Sequence, residues 1–433
     1  MSGEQTQDFG SSIAAEYFGG APDLNRDLDR ALIKRAQAVI PDGMFGHVRA
    51  WTLQPGYPQF YSRSLGSRVW DVDGNEYLDF MCSWGPITLG YNNPEVEAAA
   101  TRQREQQAIG AGPTPLMVEL AERVVDLIPQ ADWVVFAKNG CDVTTTAVTI
   151  ARAGTGKKKI IKARGSYHGA VPWCSPNMSG VTPEDRAHII EIEYNDVSSL
   201  SVAADLAGDD LAGVILTPHK HDVRADQEPI LPEFARAVRD LCDRKGAALI
   251  HDEVRTGFRV GLHGSWEPLG IEPDLVAYSK AIANGHSLAA LTGIDALRDA
   301  AASVTITGTF WYDAPPMAAA LVTINTLEEI DGPAIMGARG RRLMTGLAEQ
   351  ASSYGVKISL TGPPQMPYLR FVSDDSAGMA NLWCSEALRR GVLFHPYHNW
   401  FVSTSHTEND IDRALEATDG AFALVAKETL VSG

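Results

Sequence analysis

The chain has 433 residues, 45% hydrophobic and 21% charged, which are ordinary proportions for a globular protein of two or three domains. It has 37 Lys and Arg against 54 Asp and Glu, and the resulting net charge of −17 argues against nucleic acid or an anionic membrane as the main partner. The five cysteines form no C-x-x-C pair and no run of 18 apolar residues occurs, so we expect no disulfide framework, metal cage or membrane span.

The N-terminal part of the chain is predicted to contain an arm, a helix and a hairpin. Residues 1–25 form a loose polar arm without the basic start and apolar run of a signal peptide, so a cytoplasmic location is expected. The spacing of apolar residues predicts a helix over Asp27–Val39, which ends before Pro41. The segment RVWDVDGNEYLDF alternates around an Asp73-Gly74 turn, as is typical of a hairpin.

From about residue 87, helical segments alternate with short apolar runs. Helices are predicted over Pro94–Gln107 and Pro115–Ile128. The predicted strands are Trp133–Ala137, Lys159–Ala163, Leu211–Leu216, Ala247–His251 and Asp274–Tyr278. This alternation predicts a mostly parallel sheet with helices on both faces. Because such sheets bind ligands at the carboxyl ends of their strands, functional residues are expected in the loops that follow these runs.

After about residue 310 the pattern changes again. A long helix over Ala314–Glu329 precedes strand-like runs at Val356–Ser359, Tyr368–Phe371 and Phe401–Ser403. We therefore predict three segments of the chain. They are an N-terminal arm with part of a small domain (1–80), a large α/β domain (81–313) and the remainder of a small α+β domain (314–433).

Two charged residues come directly after apolar strands of the predicted sheet. Asp252 ends ALIHD, where an acid can cap a helix, bind a metal or pair with a buried cation. Lys280 follows DLVAYS and precedes small residues. A lysine in a partly desolvated site has a lowered pKa and can form a Schiff base with a carbonyl.

Two further loops carry groups that suit a flat, phosphorylated ligand. Asn139 is a good helix N-cap, and the free N–H groups near Gly140 and Cys141 can bind an anion. Tyr167 and His168, in RGSYHG, can stack on a flat ring. An anion cradle, a stacking aromatic, an acid and a lysine together match pyridoxal 5′-phosphate, whose aldehyde binds a lysine and whose ring nitrogen pairs with an acid.

The chain resembles the class III (fold-type I) pyridoxal-phosphate-dependent aminotransferases, and within them the glutamate-1-semialdehyde aminomutase-like subgroup. The resemblance covers residues 30–425 and is carried by IPDGMFGHVRAW, RVWDVDGNEYLDFMCSWGPITLGYNNPEV, FAKNGCDVTTTAVTIARAGTGKKKIIKARGSYHG, HDEVRTGFRVG, PDLVAYSKAIANG, TGTF and VSTSHTENDI. It implies a large domain with a mostly parallel seven-stranded sheet, a small α+β domain built from both chain ends, and bound pyridoxal phosphate.

The resemblance also implies roles for individual residues. Lys280 matches the Schiff-base lysine, which also moves the proton, and Asp252 matches the acid that keeps the ring nitrogen protonated. Tyr167 matches the aromatic that stacks on the ring, and Val254 packs against the other face. The residues matching the cofactor-binding positions are Asn139, Gly140, Cys141, Tyr167, His168, Asp252, Val254, Lys280 and Thr309. The family usually reads Ser-Gly-Thr where this chain reads Asn-Gly-Cys, so a hydroxyl donor is missing.

Other matches concern the partner subunit and the substrate. Thr309 matches a threonine that reaches the phosphate of the neighbouring subunit, which implies a homodimer with shared active sites. Arg49 matches the arginine that binds a substrate carboxylate in the aminomutases, with a surface ion pair as the alternative. Trp84 matches an aromatic residue of the substrate pocket, and His398 is a further candidate for contact with the substrate.

The sequence departs from the aminomutases in three places. Thr217-Pro218 replaces a Glu-Pro pair and is followed by His219, Lys220, His221 and Asp222, which we interpret as a reshaped substrate entrance rather than a metal site. The segment after Gly169 is shorter than the aminomutase gating loop. The Phe-Glu-Ala-Gly of the aminomutases is absent from GVLFHPYHNWF, which offers His395, Tyr397, His398 and Trp400. These departures argue against glutamate-1-semialdehyde as substrate.

The leading hypothesis is an aminotransferase that moves an amino group from a donor amine to a carbonyl acceptor, with an amino-sugar or aminoglycoside-type substrate in natural-product biosynthesis such as that of antibiotics. One alternative is an aminomutase or an amine epimerase, whose second acid–base group would be Cys82, Tyr167 or His398. Another is a β-amino-acid aminotransferase that uses Arg49. A binding protein without catalysis is disfavoured because Lys280 and Asp252 are both present.

Overall fold

The computed structural model describes residues 24–46, 54, 56–221, 225–374 and 376–432. The strands, in chain order, are β1 (Tyr61–Leu65), β2 (Arg68–Asp71), β3 (Glu76–Asp79), β4 (Trp133–Ala137), β5 (Lys159–Ala163), β6 (Ile189–Ile192), β7 (Leu211–Leu216), β8 (His219–Lys220), β9 (Glu228–Pro229), β10 (Ala248–Asp252), β11 (Leu275–Tyr278), β12 (Ala289–Gly293), β13 (Ile358–Thr361), β14 (Tyr368–Phe371) and β15 (Val392–Leu393). The largest sheet has seven strands in the order β4-β12-β11-β10-β7-β5-β6.

This seven-stranded sheet is parallel except for one strand. β12 runs antiparallel to both of its neighbours, β11 and β4, whereas the other adjacent pairs are parallel. All six residues of β7 are buried, as expected for a central strand covered on both faces. The predicted mostly parallel sheet of the fold-type I architecture is confirmed. The predicted strands at 133–137, 159–163 and 211–216 have the same bounds in the structure, whereas β6 and β12 were not predicted.

The helices are Asp27–Val39, Pro94–Gln106, Leu116–Leu127, Gly140–Thr155, Pro183–Arg186, Val197–Ala207, Pro232–Lys245, Arg298–Ser303, Pro315–Glu329, Gly332–Ser353, Gly378–Arg389 and Glu408–Ser432. The prediction for Asp27–Val39 is confirmed at both ends, and the other three predicted helices are confirmed to within one residue. Among the described residues, no helix has both the length and the apolar character needed to cross a membrane.

Helices pack on both faces of the large sheet because successive strand residues point to opposite faces. In β10, Leu249 packs in a core cluster with Phe234 and Val238 of helix Pro232–Lys245. The next residue, Ile250, packs on the other face with helix Gly140–Thr155. Buried on both faces, the sheet holds the carboxyl ends of its strands in fixed positions, which is where the predicted functional loops begin.

The smaller sheet joins the two ends of the chain. Its order is β1-β2-β3-β15, and β15 pairs parallel with β3 through Val392↔Leu78 and Leu393↔Asp79. The predicted hairpin is confirmed, since β2 and β3 pair antiparallel and Gly74 in the turn has a φ of 88°. The core beneath this sheet includes Trp383, stacked on Trp400 with 5.6 Å between the ring centroids. A small α+β domain formed from both chain ends is therefore confirmed as part of the fold.

One predicted strand, Phe401–Ser403, is wrong. The N–H of Phe401 donates to the carbonyl of Phe80 at 2.7 Å, whereas the N–H of Val402 donates to that of Gln365 at 3.0 Å. The segment is buried and apolar like a strand, but its hydrogen bonds go to two different parts of the chain, so it does not form a continuous ladder with either.

Candidate active site

A cavity of about 330 Å³ lies at the carboxyl ends of β4, β5, β7, β10 and β11. Six separate segments of the chain contribute to its wall. The lining residues are Asn139, Gly140, Cys141, Tyr167, His168, Gly169, Thr217, Pro218, His219, Asp252, Val254, Arg255, Thr256, Ser279, Lys280 and Met366. The loops in which the sequence predicted function therefore meet around one cavity.

Asp252 is fixed in the cavity wall by two hydrogen bonds. It is the last residue of β10 and is 5% exposed. Its Oδ2 lies 2.7 Å from Nδ1 of His168, and its Oδ1 accepts a hydrogen bond from the N–H of Val254 at 3.1 Å. A carboxylate offers about four acceptor positions. Asp252 can therefore accept a further hydrogen bond from an N–H group in the cavity.

His168 positions Asp252 and is itself buried. Its carbonyl accepts a hydrogen bond from the hydroxyl of Thr144, on helix Gly140–Thr155, at 2.7 Å. The His168 ring stacks on Trp173 with 6.3 Å between the centroids. These contacts prevent the imidazole from turning away from the carboxylate of Asp252.

Lys280 begins the short 3₁₀ helix Lys280–Ala283, immediately after β11 and Ser279. Its backbone is left-handed, with a φ of 43°, a conformation that is unusual for a long side chain. Burial, together with the positive charge of Arg255, lowers the pKa of Lys280 to about 7, although Asp252 acts in the opposite direction. A substantial fraction of this amine is neutral at pH 7, which is the nucleophilic form.

The start of helix Gly140–Thr155 can serve as an anion cradle. The carboxylate of Asp142 accepts a hydrogen bond from the N–H of Asn139 at 2.8 Å, and the N–H of Asp142 donates to the carbonyl of Asn139 at 3.1 Å, which fixes the turn. The N–H groups of Gly140 and Cys141 begin the helix, where N–H groups lack a carbonyl one turn earlier and the helix dipole favours an anion. A Cβ at Gly140 would lie 2.7 Å from Cγ1 of Val254, so glycine keeps this part of the cavity open.

Tyr167 and Val254 complete the part of the cavity that could hold a ring. Both side chains line it, and Tyr167 remains 42% exposed. Burial is the main reason that the pKa of Tyr167 lies above its usual value, so the phenol is neutral at pH 7. Together with the cradle, Asp252 and Lys280, these residues fit pyridoxal phosphate: the donor set suits its phosphate, its ring nitrogen and its aldehyde.

Sequence reasoning missed five lining residues, which are Gly169, Arg255, Thr256, Ser279 and Met366. Arg255 is half-buried, and Nη1 lies 3.5 Å from Oδ1 of Asn399, at the long limit of a hydrogen bond. Burial lowers the pKa of Arg255 to about 10, so it is a cation at pH 7. Arg255 follows Asp252 by three residues, so its place in the same loop could have indicated that it lines the cavity. Met366 is distant in sequence from every predicted motif and gave no such signal.

The segment after β7 also reaches the cavity. Thr217, Pro218 and His219 line it, at the place where the sequence departs from the aminomutases. Burial lowers the pKa of His219 to about 4 and that of His221 to about 2, with the charge of Arg255 acting in the same direction. Both imidazoles are therefore neutral at pH 7.

Beside this segment lies a cluster of rings that contains two of the predicted substrate residues. The rings of His221 and His398 have centroids 4.6 Å apart, and those of Trp84 and His398 are 5.0 Å apart. Burial holds the pKa of His398 well below its usual value. His221, Trp84 and His398 are not among the described residues that line the cavity, although the charges of Arg255 and Lys280 act on the imidazole of His221 and lower its pKa.

The remaining two predicted site residues are Arg49 and Thr309. Arg49 is outside the described residues. Thr309 is exposed and does not line the cavity of its own chain, and neighbouring Phe310 and Tyr312 are 65% and 41% exposed. In the part of the chain that the structure describes, no three His, Cys, Asp or Glu side chains are grouped so as to hold a metal ion.

The chain is similar in sequence to a known family and to individual proteins of known activity. The family model described as aminotransferase class-III matches residues 52–418. The aminopentol aminotransferase of Sphingopyxis macrogoltabida is 45% identical over 404 residues, which cover 93% of this chain and 96% of that protein. The glutamate-1-semialdehyde 2,1-aminomutase of Bordetella avium is 34% identical over 423 residues, covering 91% and 98%.

A solved structure is also similar over most of the chain. The FumI protein of Sphingopyxis sp. MTA144, solved in its PLP internal aldimine form, has a TM-score of 0.91 and 44% identity, and the match covers 93% of this chain and 97% of that one. The predicted family, fold type and cofactor are thereby confirmed. The chain belongs to the class-III aminotransferases, and it is a transaminase that depends on pyridoxal phosphate.

Proposed function

We propose that this transaminase takes its amino group from a polyhydroxylated amine, the class to which amino sugars belong, as a step in natural-product biosynthesis. The observation that carries the proposal is His219, a neutral imidazole on the cavity wall. A neutral imidazole both donates and accepts hydrogen bonds, as hydroxyl groups do. Two residues along the chain, His221 packs against His398, which packs against Trp84, and this cluster adds further polar and aromatic groups.

The charges around the cavity support this donor class. Asp252 is the one acid among the described lining residues, and its oxygens already accept from His168 and Val254. The described lining therefore has no second acid to pair with a cationic group of the donor, so we expect neutral groups such as His219 to recognise its hydroxyls. A similar protein, the aminopentol aminotransferase of Sphingopyxis macrogoltabida, carries in its name an amine with several hydroxyl groups.

The donor class is tested by comparing an amino polyol with the alkylamine of the same chain length. We expect kcat/KM to favour the polyol by roughly tenfold or more, because hydroxyl recognition contributes about 1 kcal/mol for each hydrogen bond. His219→Leu should remove most of this preference, whereas His188→Leu, at an exposed histidine, should keep it. A wild-type enzyme that prefers the alkylamine would refute the proposed donor.

The proposed mechanism assigns tasks to five of the lining residues. Pyridoxal phosphate, when bound, supplies an aldehyde that receives amino groups and a ring that withdraws electrons from the neighbouring carbon. Lys280 would hold the aldehyde through Nζ, and its free amine would serve as the base that moves a proton to and from the reacting carbon. Asp252 would keep a proton on the ring nitrogen, and His168 holds Asp252 in place. Tyr167 and Val254 would hold the ring.

The pKa of Lys280 gives a pH dependence for cofactor loading. Only the neutral amine attacks the aldehyde, and with a pKa of about 7 its neutral fraction rises as pH increases through 7 and is nearly complete one to two units above. The rate of loading, measured from visible absorbance after apoenzyme and cofactor are mixed, should follow this curve. Lys280→Ala, which binds the cofactor without a covalent bond, controls for titration of the cofactor itself. A midpoint near 10 would contradict the lowered pKa.

The missing hydroxyl in the phosphate cradle gives a second prediction. Cys141 lies in the first turn of helix Gly140–Thr155, where the thiol is a weak donor. Cys141→Ser should slow loss of the cofactor roughly fivefold, because one added hydrogen bond contributes about 1 kcal/mol. Cys141→Ala, of similar size but without a hydroxyl, should not. Equal rates of cofactor loss for the two variants, measured by dialysis and absorbance, would rule out this account of the cradle.

We also propose that the enzyme is a homodimer in which Thr309 serves the active site of the partner. The exposed Phe310 and Tyr312, on the segment that carries Thr309, support this because large apolar side chains on a surface mark contact sites. Light scattering should give twice the chain mass of 46.7 kDa. A monomer that turns over normally would exclude a role for Thr309 in a neighbouring site.

A cytoplasmic location is proposed from the thiols. All five cysteines, Cys82, Cys141, Cys174, Cys242 and Cys384, are free, and four of them are buried. Free thiols persist best in a reducing compartment. Fractionation of the host cells would test this location directly.

A further inference from the structure

A second cavity, of about 110 Å³, lies apart from the active-site cavity. Its wall is formed by β10, by the turn that follows helix Leu116–Leu127 and by the segment 263–273, which leads into β11. None of the described residues that line it also lines the active-site cavity. His251 belongs to the second cavity and the next residue, Asp252, to the active site, because successive strand residues point to opposite faces.

His251 provides a hydrogen-bond acceptor in the wall of the second cavity. It is 1% exposed, and its Nδ1 lies 3.4 Å from Oε1 of Glu253. Burial lowers the pKa of His251, so the imidazole is neutral at pH 7 and one of its two nitrogens carries the proton. Because a carboxylate only accepts, the proton is placed on Nδ1, and Nε2 is left as an acceptor. No described residue forms a hydrogen bond with Nε2.

Trp266 provides a hydrogen-bond donor in the same wall. Its indole is 1% exposed and packs on the His251 ring with 4.3 Å between the centroids. The Nε1–H group has no acceptor among the described residues. A buried donor or acceptor that stays unpaired costs free energy. A hydroxyl group can donate to the imidazole and accept from the indole, so the second cavity suits a ligand with hydroxyl groups.

The exposed part of the lining is acidic. Glu267 and Glu272 both line the second cavity and are exposed, and its described lining includes no Lys or Arg. The chain as a whole has a net charge of −17. Carboxylates without a basic neighbour attract a cation, and a protonated amine supplies one.

The volume restricts the ligand to a small molecule. The second cavity has about one third of the 330 Å³ of the active-site cavity. A water molecule takes up roughly 30 Å³ in the liquid, so the space holds a compound of only a few non-hydrogen atoms. Pro129, Ile271 and Pro273 provide apolar wall for its carbon atoms.

We propose that the second cavity binds a small amino alcohol. Its hydroxyl groups form hydrogen bonds with Nε2 of His251 and with Nε1–H of Trp266. Its ammonium group lies near the carboxylates of Glu267 and Glu272. This site is separate from the one at which amino groups are exchanged, so it goes beyond the proposed function and does not depend on it.

The indole N–H of Trp266 gives a direct signal from this site. The holoenzyme is converted to its pyridoxamine form, which does not react with an added amine, and is labelled with ¹⁵N at the tryptophan indoles. The Trp266 signal is assigned by its absence from Trp266→Phe. We expect 2-amino-1,3-propanediol to move this signal downfield in a saturable manner, because the N–H gains an acceptor.

Two related compounds separate the contributions of the ligand groups. Glycerol has a hydroxyl in place of the ammonium group, and 2-aminopropane lacks both hydroxyls. We expect the concentration for half-saturation to rise roughly threefold or more with glycerol, because ion pairs with exposed carboxylates contribute modestly. It should rise roughly tenfold or more with 2-aminopropane, because two hydrogen bonds are lost.

Variants of the enzyme test the same contacts from the protein side. Glu267→Gln combined with Glu272→Gln should remove the preference for the amino diol over glycerol, whereas Glu184→Gln, at an exposed glutamate elsewhere, should keep it. His251→Phe, which lacks the acceptor, should weaken binding of the amino diol roughly fivefold or more. If His251→Phe does not fold, the double glutamine variant decides, since both of its positions are exposed.

Three results would overturn the inference. A Trp266 signal that does not move with the amino diol would mean that the second cavity holds water only. Equal half-saturation by the amino diol and glycerol would exclude a role for the ammonium group. A titration that changes in His219→Leu, and not in the double glutamine variant, would assign the binding to the active site. Because the enzyme is already in its amine form, failure of amino polyols as donors would not alter these measurements.

Discussion

Lys280→Ala is expected to reduce turnover by roughly 10⁴-fold or more while leaving the fold intact. The variant lacks both the amine that binds the cofactor aldehyde and the base that moves the proton, and the loss of a general base alone accounts for about 10²- to 10⁴-fold. The fold should persist because burial disfavours the charged amine of Lys280 and its removal leaves no ion pair broken.

The measurement is kcat with a good donor and a carbonyl acceptor, together with circular dichroism and cofactor content. Lys280→Arg is the matched variant, since it keeps a positive charge near Asp252 but supplies no nucleophilic amine. Both variants should bind cofactor in its free-aldehyde absorbance form and should not turn over. Activity of Lys280→Ala within tenfold of wild type would refute the proposed role of Lys280.

Asp252→Asn is expected to lower kcat by roughly 10²- to 10³-fold. The amide keeps the shape of the side chain and can still accept from the N–H of Val254, but it carries no negative charge to hold a proton on the ring nitrogen. The contact of 2.7 Å with His168 is also weakened, since a carboxylate is the stronger partner. The loss therefore falls on the chemical step rather than on substrate affinity.

An altered cofactor separates these two effects. A pyridoxal phosphate with a methyl group on its ring nitrogen has a permanent positive charge and does not need the carboxylate to keep it. Reconstitution of Asp252→Asn with this cofactor should recover at least tenfold in kcat, whereas Asp196→Asn, at the N-cap of a distant helix, should need no rescue. Absence of any recovery would mean that Asp252 acts by position and not by charge.

The local sequence pattern was sufficient to predict the bounds of strands that are defined by a run of apolar residues. Strand β7 is buried along its whole length, and its predicted bounds are the observed ones. The segment Phe401–Ser403 is equally buried and was wrongly predicted as a strand, because strand assignment depends on hydrogen-bond partners that lie far away in sequence. The antiparallel direction of β12 could not be predicted either. The direction of a strand depends on the neighbouring strands with which it pairs, and its own sequence, AALTG, does not determine it.

In the candidate active site too, residues marked by the local sequence pattern could be predicted, and residues that depend on contacts distant in sequence could not. Asp252 and Lys280 could be predicted because each ends or follows an apolar strand, and the register of β10 beside β11 brings them to one cavity. The contribution of Met366 could not be predicted, because it is distant in sequence from every predicted motif and reaches the cavity only through the fold. The roles assigned to these residues, and the segment boundaries at 80/81 and 313/314, stay predictions.

We propose that Lys280 and its surroundings exchange amino groups between a polyhydroxylated amine and a separate acceptor. The visible spectrum of the purified holoenzyme, recorded after an amino polyol is added without any acceptor, tests this exchange directly. We expect stoichiometric conversion of the bound cofactor to its pyridoxamine form and release of the matching carbonyl compound. A spectrum that returns to its starting form, with the amine isomerised and carrying solvent deuterium, would instead show an aminomutase or an epimerase and exclude the proposed exchange.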